Sequence, residues 1–312
     1  MRPAASVLLL TTLSGFGYGL LAWLGAYAAL GFLPATPWFG VAAIALSLLL
    51  ASLGLAASTL HLGRKERAWR AFSQWRSSWL SREGIAALLT YPVAILFAVA
   101  VHRGPIAGVA VRSLGILAAA ASLTTVFCQS MIYASLKPIR QWHNAHTTPD
   151  YLIYAVFSGA VLLAVLRVAA FGAPGAAAAG AAVTAAIALI AKQAYWRHID
   201  TQTPLATLAS AIGLPKGTEV KPLDAPHFTE NHVLREMGFT IARRHATKLR
   251  RISLILGFAA PLGLCLFASL PLLPAASLAA ALACAALGLL TERWLFFAEA
   301  THISALYYGR RI

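Results

Sequence analysis

The sequence predicts an all-α polytopic membrane protein, a bundle of about eight transmembrane helices in one membrane domain. Hydrophobic residues make up 59% of its 312 residues, charged residues make up only 11%, and the mean hydropathy is +0.72. A soluble domain of this length does not have such a composition. The apolar segments are long and continuous, which is typical of helices that cross the bilayer and not of barrel strands.

Eight apolar segments follow one another, separated by Pro- and Gly-containing turns or by charged loops. The first segment follows Arg2 and is too long for the apolar part of a signal peptide, so we expect an uncleaved helix. The expected spans cover residues 6–31, 38–60, 84–101, 112–136, 151–171, 175–195, 252–270 and 275–297. Residues 197–250 form the one long polar connection.

Basic residues lie almost entirely on one side of the predicted bundle. That side holds both termini, 22 of the 25 Lys and Arg, and all ten acidic residues. Only Arg103, Arg112 and Arg167 fall toward the other side. The positive-inside rule therefore predicts that both termini are cytoplasmic. Basic loops also contact anionic headgroups, and they carry no nucleic-acid-binding motif, so we expect no nucleic-acid partner.

The 197–250 loop is longer than the connections inside compact domains usually are, which is typical of a functional or a disordered segment. It is polar and mixed in charge. We expect it to contribute a cytoplasmic docking surface for a peripheral subunit, and a disordered loop is the alternative.

The loop between the second and third spans carries the main candidate site. His61 stands where the chain leaves the apolar segment and Glu83 where it returns. A pair of proton-exchanging groups at the membrane boundary suits a membrane-soluble quinone, because quinone chemistry couples two electrons to two protons. Each residue alone has an ordinary alternative, Glu83 as a cap at a helix N-terminus and His61 as a histidine facing headgroups.

Further polar residues on the same side are candidates to line the quinone pocket. Gln129 and Tyr133 lie one turn apart on the fourth span, although such residues often only join helices in lipid. Glu292 and Glu299 share one face of the last span. The predicted quinone-contacting residues are His61, Arg64, Glu83, Gln129, Tyr133, Trp142 and Glu299, with His61 and Glu83 as the proton-exchanging pair.

Cofactor ligands are scarce in this sequence. The three cysteines lie in apolar segments without metal-ligand spacing, so iron–sulfur clusters and electrons must come from a partner. Haem b near the cytoplasmic side is a minor alternative, with the candidate ligands His61, His143, His146 and His302. Arg167 is the only charge expected deep in a span, which argues against an ion-coupled transporter.

The segments His61-Leu-Gly, Arg67-Ala and Leu80-Ser-x-Glu83, together with the eight-span layout, resemble the membrane anchor subunit of dimethyl sulfoxide reductase (DmsC) along essentially the whole chain. The resemblance implies a quinone site that uses His61 and Glu83. It also implies two partners at the quinone-binding face, an iron–sulfur subunit and a molybdopterin catalytic subunit. Residues 131–143, 235–238 and 292–299 look like a subgroup that includes the anchor of the cytoplasmic sulfite dehydrogenase (SoeC).

The predicted cytoplasmic position of the His61–Glu83 loop favours this subgroup, because family members with exported catalytic subunits place that loop in the periplasm. We therefore expect a quinone-reactive anchor in the bacterial inner membrane, without independent catalysis. It would pass electrons from sulfite oxidation in its partners to ubiquinone or menaquinone. The alternatives are a quinol-oxidising anchor of a dimethyl sulfoxide-type reductase, a purely structural anchor, and a transporter.

Overall fold

The computed structural model describes residues 3–59, 64–105, 108–203, 206–215, 217–220, 245–270 and 273–308. Within these ranges the chain is helical, and its sole extended pairing is an isolated antiparallel bridge between Ile139 and His302. Eight of the described helices are long and apolar enough to cross a membrane. The predicted all-α class and the number of spans are thus confirmed.

The eight long helices, α1 to α8, follow the predicted spans closely. Their bounds are Ala5–Leu30, Pro37–Thr59, Trp79–Arg103, Val109–Ala134, Thr147–Phe171, Ala176–Thr201, Ala246–Ala268 and Pro274–Ala298. Helix α7 contains one π-helical turn at Ile255–Ala259. Shorter helical segments are Leu208–Ala211 and the 3₁₀ helices Lys65–Phe72 and Ile303–Tyr308.

Local sequence signals explain where several helices begin and end. Helices α1 and α5 end at Gly31 and Gly172, which adopt left-handed φ angles of 77° and 72°, as glycine permits. Helix α3 begins at Trp79 because the Ser78 hydroxyl accepts a hydrogen bond from the Ser81 amide (3.5 Å). This start lies five residues before the expected position 84, so Glu83 sits inside the helix. Ser78 fills the capping role that was the ordinary alternative for Glu83.

Helices α1 and α5 form the centre of the bundle, because they bury the largest share of their residues. Leu20, Leu21 and Leu24 of α1 are fully enclosed in the main apolar core. Other helices expose large apolar side chains, such as Leu88, Leu89 and Leu96 of α3. Exposed apolar faces of this kind fit contact with lipid tails, and the chain is a multi-pass membrane protein.

Three pairs of glycines among the described residues allow helix backbones to approach closely, namely Gly19–Gly159, Gly25–Gly115 and Gly257–Gly288. A Cβ added to Gly159 of α5 would overlap the backbone of Gly19 in α1. A Cβ added to Gly288 of α8 would overlap the backbone of Gly257, which lies in the π-helical turn of α7. Small residues are typical of such contacts, since membrane helices associate through close packing.

We predict that Gly159→Ala destabilises the bundle by about 1–3 kcal/mol, the usual effect of overpacking a tight contact. The measurement is the Tm of the purified protein in detergent. Gly263→Ala is the matched control, because a Cβ at Gly263 meets nothing within 4 Å. Equal Tm values for the two variants would contradict the close α1–α5 contact.

Candidate functional site

Glu83 lies in a buried hydrogen-bonded set that joins three helices. Its side chain in α3 is only 4% exposed. Glu83 Oε1 accepts a hydrogen bond from Gln129 Nε2 of α4 (2.9 Å), and Gln129 Nε2 also donates to Ser14 Oγ of α1 (3.2 Å). The sequence predicted Glu83 and Gln129 separately, and the structure brings them into direct contact.

Two residues of α1 belong to this site that the sequence analysis missed. Ser14 lies in hydrogen-bond contact with Gln129. Tyr18, one turn further along, is buried, and its hydroxyl has no hydrogen-bond partner among the described residues. Tyr18 also lies within electrostatic range of Glu83. Because Ser14 and Tyr18 are four residues apart, the sequence shows that they share one face of α1. Nothing in the sequence of α1 shows that this face meets α3 and α4.

The loop that leads into α3 is held against the start of that helix. The Arg82 guanidinium donates hydrogen bonds to the carbonyl oxygens of Trp75 (2.9 Å) and Arg76 (2.6 Å), and it lies 4.3 Å from the Trp79 ring centroid. The Ser81 hydroxyl donates to the Ala71 carbonyl. These contacts fix the loop close to Glu83.

The other two predicted residues of this loop have different outcomes. His61 lies outside the described residues, so of the predicted pair the structure describes Glu83 alone. Arg64 is exposed, just before the 3₁₀ helix Lys65–Phe72. Trp69 and Trp75 of this loop are also exposed, which suits residues at headgroup level.

Tyr133 and Trp142 belong to an aromatic cluster at the same end of the bundle. The ring of Tyr133 packs against Trp142, Tyr151, Phe296 and Phe297, with centroid distances of 5.2–5.8 Å. The indole N–H of Trp142 donates to the Phe296 carbonyl (2.9 Å). Because indole has a single donor, Trp142 is left with packing contacts alone.

Glu299 has partners different from those of Glu83. Both of its carboxylate oxygens accept hydrogen bonds from Arg250 of α7 (2.8 and 3.1 Å), and Arg250 also pairs with Asp200 of α6 (2.7 Å). Glu299 therefore joins α6, α7 and the end of α8, whereas Glu83 joins α1, α3 and α4.

A buried ion cluster links α6 and α8. Lys192 Nζ lies 2.5 Å from Glu292 Oε1, and Arg293 Nε lies 2.5 Å from Glu292 Oε2. All three side chains are almost completely enclosed. The Arg293 guanidinium also lies 4.2 Å from the Tyr151 ring centroid. A carboxylate held by two cations and by aromatic rings can remain inside a membrane bundle.

This cluster corrects one expectation. Arg167 was expected to be the only charge deep in a span, and the structure encloses further ionisable side chains toward the loop-side ends of their helices. Arg167 sits at the end of α5, where it donates to the Pro174 carbonyl (3.1 Å). The buried ionisable side chains of the described residues are Lys192, Glu292 and Arg293, together with Glu83 and Asp150. The sequence analysis had counted all of them among the charges of one face.

The described haem candidates lie in loops or at helix ends. His143 is exposed, and its Nδ1 lies 2.6 Å from the Ala134 carbonyl oxygen. His146 packs beside His198, with ring centroids 4.9 Å apart, and His302 Nδ1 contacts the Ser304 hydroxyl (2.8 Å). The haem alternative stays a prediction.

Comparison with known proteins gives two concordant matches. The family model described as DMSO reductase anchor subunit (DmsC) matches residues 39–299. The chain is also 35% identical over 330 aligned residues to a sulfite dehydrogenase subunit of Allochromatium vinosum, covering 99% of each chain.

We predict that Glu292→Gln destabilises the protein by about 3–5 kcal/mol, because it leaves two buried cations without their shared carboxylate. Thermal unfolding in detergent measures the effect. Glu299→Gln is the matched control and should cost less, since Arg250 keeps Asp200 as a second partner. If Glu292→Gln unfolds at the same temperature as Glu299→Gln, the cluster does not hold α6 to α8.

Proposed function

The chain belongs to the DMSO reductase anchor subunit (DmsC) family, and from this premise we propose that it binds membrane quinone beside Glu83. There the quinone exchanges electrons with the clusters of a partner subunit and a proton with Glu83. In this proposal the chain anchors an oxidoreductase complex whose iron–sulfur and molybdopterin subunits oxidise sulfite. The similarity to a sulfite dehydrogenase subunit over nearly the full length of both chains supports the choice of sulfite.

The buried carboxyl group of Glu83 is the observation that carries the quinone site. An ionisable side chain enclosed in a membrane helix is costly and therefore marks a function by default. Glu83 lies in the first turns of α3, which begins at Trp79 directly after the loop that contains His61, and its carboxylate is oriented by Gln129. In this proposal Glu83 lies at the membrane boundary, and a quinone head group reaches it from the lipid.

Each residue of the site has a definable role in this proposal. Reduction of a bound quinone takes up two electrons and two protons. Glu83 exchanges one proton, and Gln129 keeps the carboxyl group in place through its amide N–H. His61 hydrogen-bonds a quinone carbonyl. The Tyr18 hydroxyl, unpaired among the described residues, is a further donor within the site.

The end of the bundle that holds the connections 64–78 and 135–146 is called the loop face. It is the proposed cytoplasmic face and docking surface. The positive-inside asymmetry supports this orientation and a location in the bacterial inner membrane. On this face Arg140 ties the 135–146 connection to the end of α6, by donating to the carbonyl oxygens of Gln202 (2.6 Å) and Thr203. A fixed surface of this kind suits permanent contact with a peripheral subunit. Most of the predicted docking loop, residues 221–244, lies outside the described residues.

We predict that Glu83→Gln lowers sulfite-driven reduction of a quinone analogue by about 10²-fold or more, because an amide cannot exchange the proton. The substitution preserves the size of the side chain and an acceptor for Gln129. Sulfite oxidation with an artificial acceptor, which bypasses this subunit, should be unchanged and shows that the complex is assembled.

Glu66→Gln is the control for this variant, since Glu66 is exposed on the 3₁₀ helix of the same loop. It should leave quinone reduction unchanged. Full quinone reduction by assembled complexes carrying Glu83→Gln or His61→Ala would contradict the proposed quinone site and favour a purely structural anchor.

We predict that sulfite added to inverted membrane vesicles drives quinone-analogue reduction, whereas sulfite added to right-side-out vesicles does not. The charged substrate does not cross the bilayer, so activity reports the side on which the catalytic subunits lie. Activity confined to right-side-out vesicles would contradict the proposed orientation. Quinol-driven reduction of an S-oxide, without sulfite oxidation, would establish the reductase alternative.

A further inference from the structure

A small cavity lies between the Glu83 site and the buried ion cluster. Its volume is about 20 Å³, and it is lined by residues of α1, α4, α5 and α8. Gln129, which holds Glu83, lines one part of the cavity, and Arg293, which holds Glu292, lines another. The two buried polar sets therefore share one internal space.

Two hydroxyl groups on the wall of this cavity lack hydrogen bonds. Thr12 Oγ1 and Tyr151 Oη are buried and meet no described partner in hydrogen-bond geometry, although the Arg293 guanidinium lies beside Tyr151. The neighbouring Thr11 and Ser158 hydroxyls, in contrast, donate to backbone carbonyls of their own helices, Val7 (3.0 Å) and Ala155 (3.1 Å). An unpaired buried hydroxyl costs about 1–3 kcal/mol, and an ordered water usually removes this cost.

The size of the cavity matches a single water molecule. One water needs roughly 10–15 Å³ of space measured with a water-sized probe, and it needs two to four polar partners. The cavity exceeds that volume slightly, and Thr12, Tyr151 and Gln129 supply three polar groups. A quinone ring is far too large for this space, so the cavity is not the quinone pocket.

We propose that this cavity binds one ordered water molecule, and that this water forms the proton path between Glu83 and Asp150, which lies beside the buried ion cluster. The proton path rests on the proposed function of Glu83, whereas the water site itself does not.

On the far side of the water, Asp150 is the group that takes up and releases the proton. Tyr154 lines the cavity, and its hydroxyl donates to Asp150 Oδ2 (3.2 Å). Asp150 is buried and lies within electrostatic range of Lys192, Glu292 and Arg293. Glu292 is held by both cations, while Asp150 forms no ion pair with another described side chain. It is in the first turn of α5, close to the loop face.

The proton balance is simple. After Glu83 has given its proton to a quinone oxygen, the water transfers one proton to the Glu83 carboxylate. The Tyr154 O–H turns from Asp150 Oδ2 to the water and replaces that proton. Tyr154 regains its proton from Asp150, and Asp150 is reprotonated from the aqueous loop face. The amide of Gln129 stands between the water and Glu83 and does not release protons, so its side chain has to turn aside for the transfer. Quinol oxidation runs the same steps in reverse.

The water site is tested by hydroxyl-radical labelling of the purified complex by X-ray pulses, which modifies buried side chains next to ordered water. We expect labelling of Tyr151 in the wild type and its loss in Thr12→Val. Tyr195 is the internal reference, because it is equally buried and its hydroxyl is already bonded to the Gln141 carbonyl (2.9 Å). Tyr151 labelling no higher than that of Tyr195 would overturn the water site.

The proton path is tested by quinone-reduction assays on Thr12→Val and Tyr151→Phe, both close in shape to the wild-type residues. We expect turnover to fall roughly tenfold, the rate equivalent of one or two lost hydrogen bonds, and the solvent deuterium isotope effect to rise. Thr184→Val is the matched control, since that hydroxyl bonds its own helix at Gly180 (2.8 Å). Unchanged turnover and isotope effect in variants that have lost the water would overturn the path.

The two proposals fail in different ways. If Glu83→Gln leaves quinone reduction intact, the quinone site at Glu83 fails, and the labelling of Tyr151 still decides the water site. If Glu83→Gln abolishes turnover while the two hydroxyl variants are fully active, the proton path alone fails.

Discussion

Polar groups inside a bilayer must find partners within the protein, because hydrocarbon offers none, and this requirement determines which helices of the chain meet. Glu83, Gln129 and Ser14 tie α3, α4 and α1 together. Lys192 and Glu292 tie α6 to α8. Both sets lie toward the loop face, so that end of the bundle is joined by buried ionisable groups. The remainder is held by apolar packing, close glycine contacts and single neutral hydrogen bonds, such as those of Trp23 to the Val156 carbonyl (2.8 Å) and between Thr90 and Thr125 (3.1 Å).

This division between the two ends of the bundle suits a membrane anchor. In the proposed function, the end that faces a partner subunit has to keep a fixed shape, because electron transfer would depend on constant distances between the partner's clusters and the quinone. Buried hydrogen bonds and ion pairs favour one arrangement over others more strongly than apolar contacts do. The aromatic cluster around Tyr133 fills the space beneath that surface and adds to its rigidity.

The fold was predictable from the sequence, because hydropathy is a local property and each span can be recognised from its own apolar segment. The contacts within the site were not. Glu83 and Gln129 are 46 residues apart, and no local pattern shows that α3 and α4 turn these faces toward each other. The ion cluster could not be predicted for the same reason, because its helices are distant in sequence. In the sequence, Lys192, Glu292 and Arg293 look like ordinary charges at the ends of spans. Trp142 looked available for a ligand, but its single donor is used by a backbone carbonyl.

The ion pair between Lys192 and Glu292 also bears on how the chain enters the membrane. Helix α6 is synthesised one hundred residues before the carboxylate that neutralises its lysine. A lone charge at the centre of a membrane helix costs about 2.5–3.5 kcal/mol during insertion, and a long lysine side chain near a helix end avoids part of this cost by reaching toward the headgroups. Newly inserted α6 can therefore hold Lys192 at the interface until α8 arrives. The final packing of the second half of the bundle would then be a late event of biogenesis, completed when the last span leaves the insertion machinery.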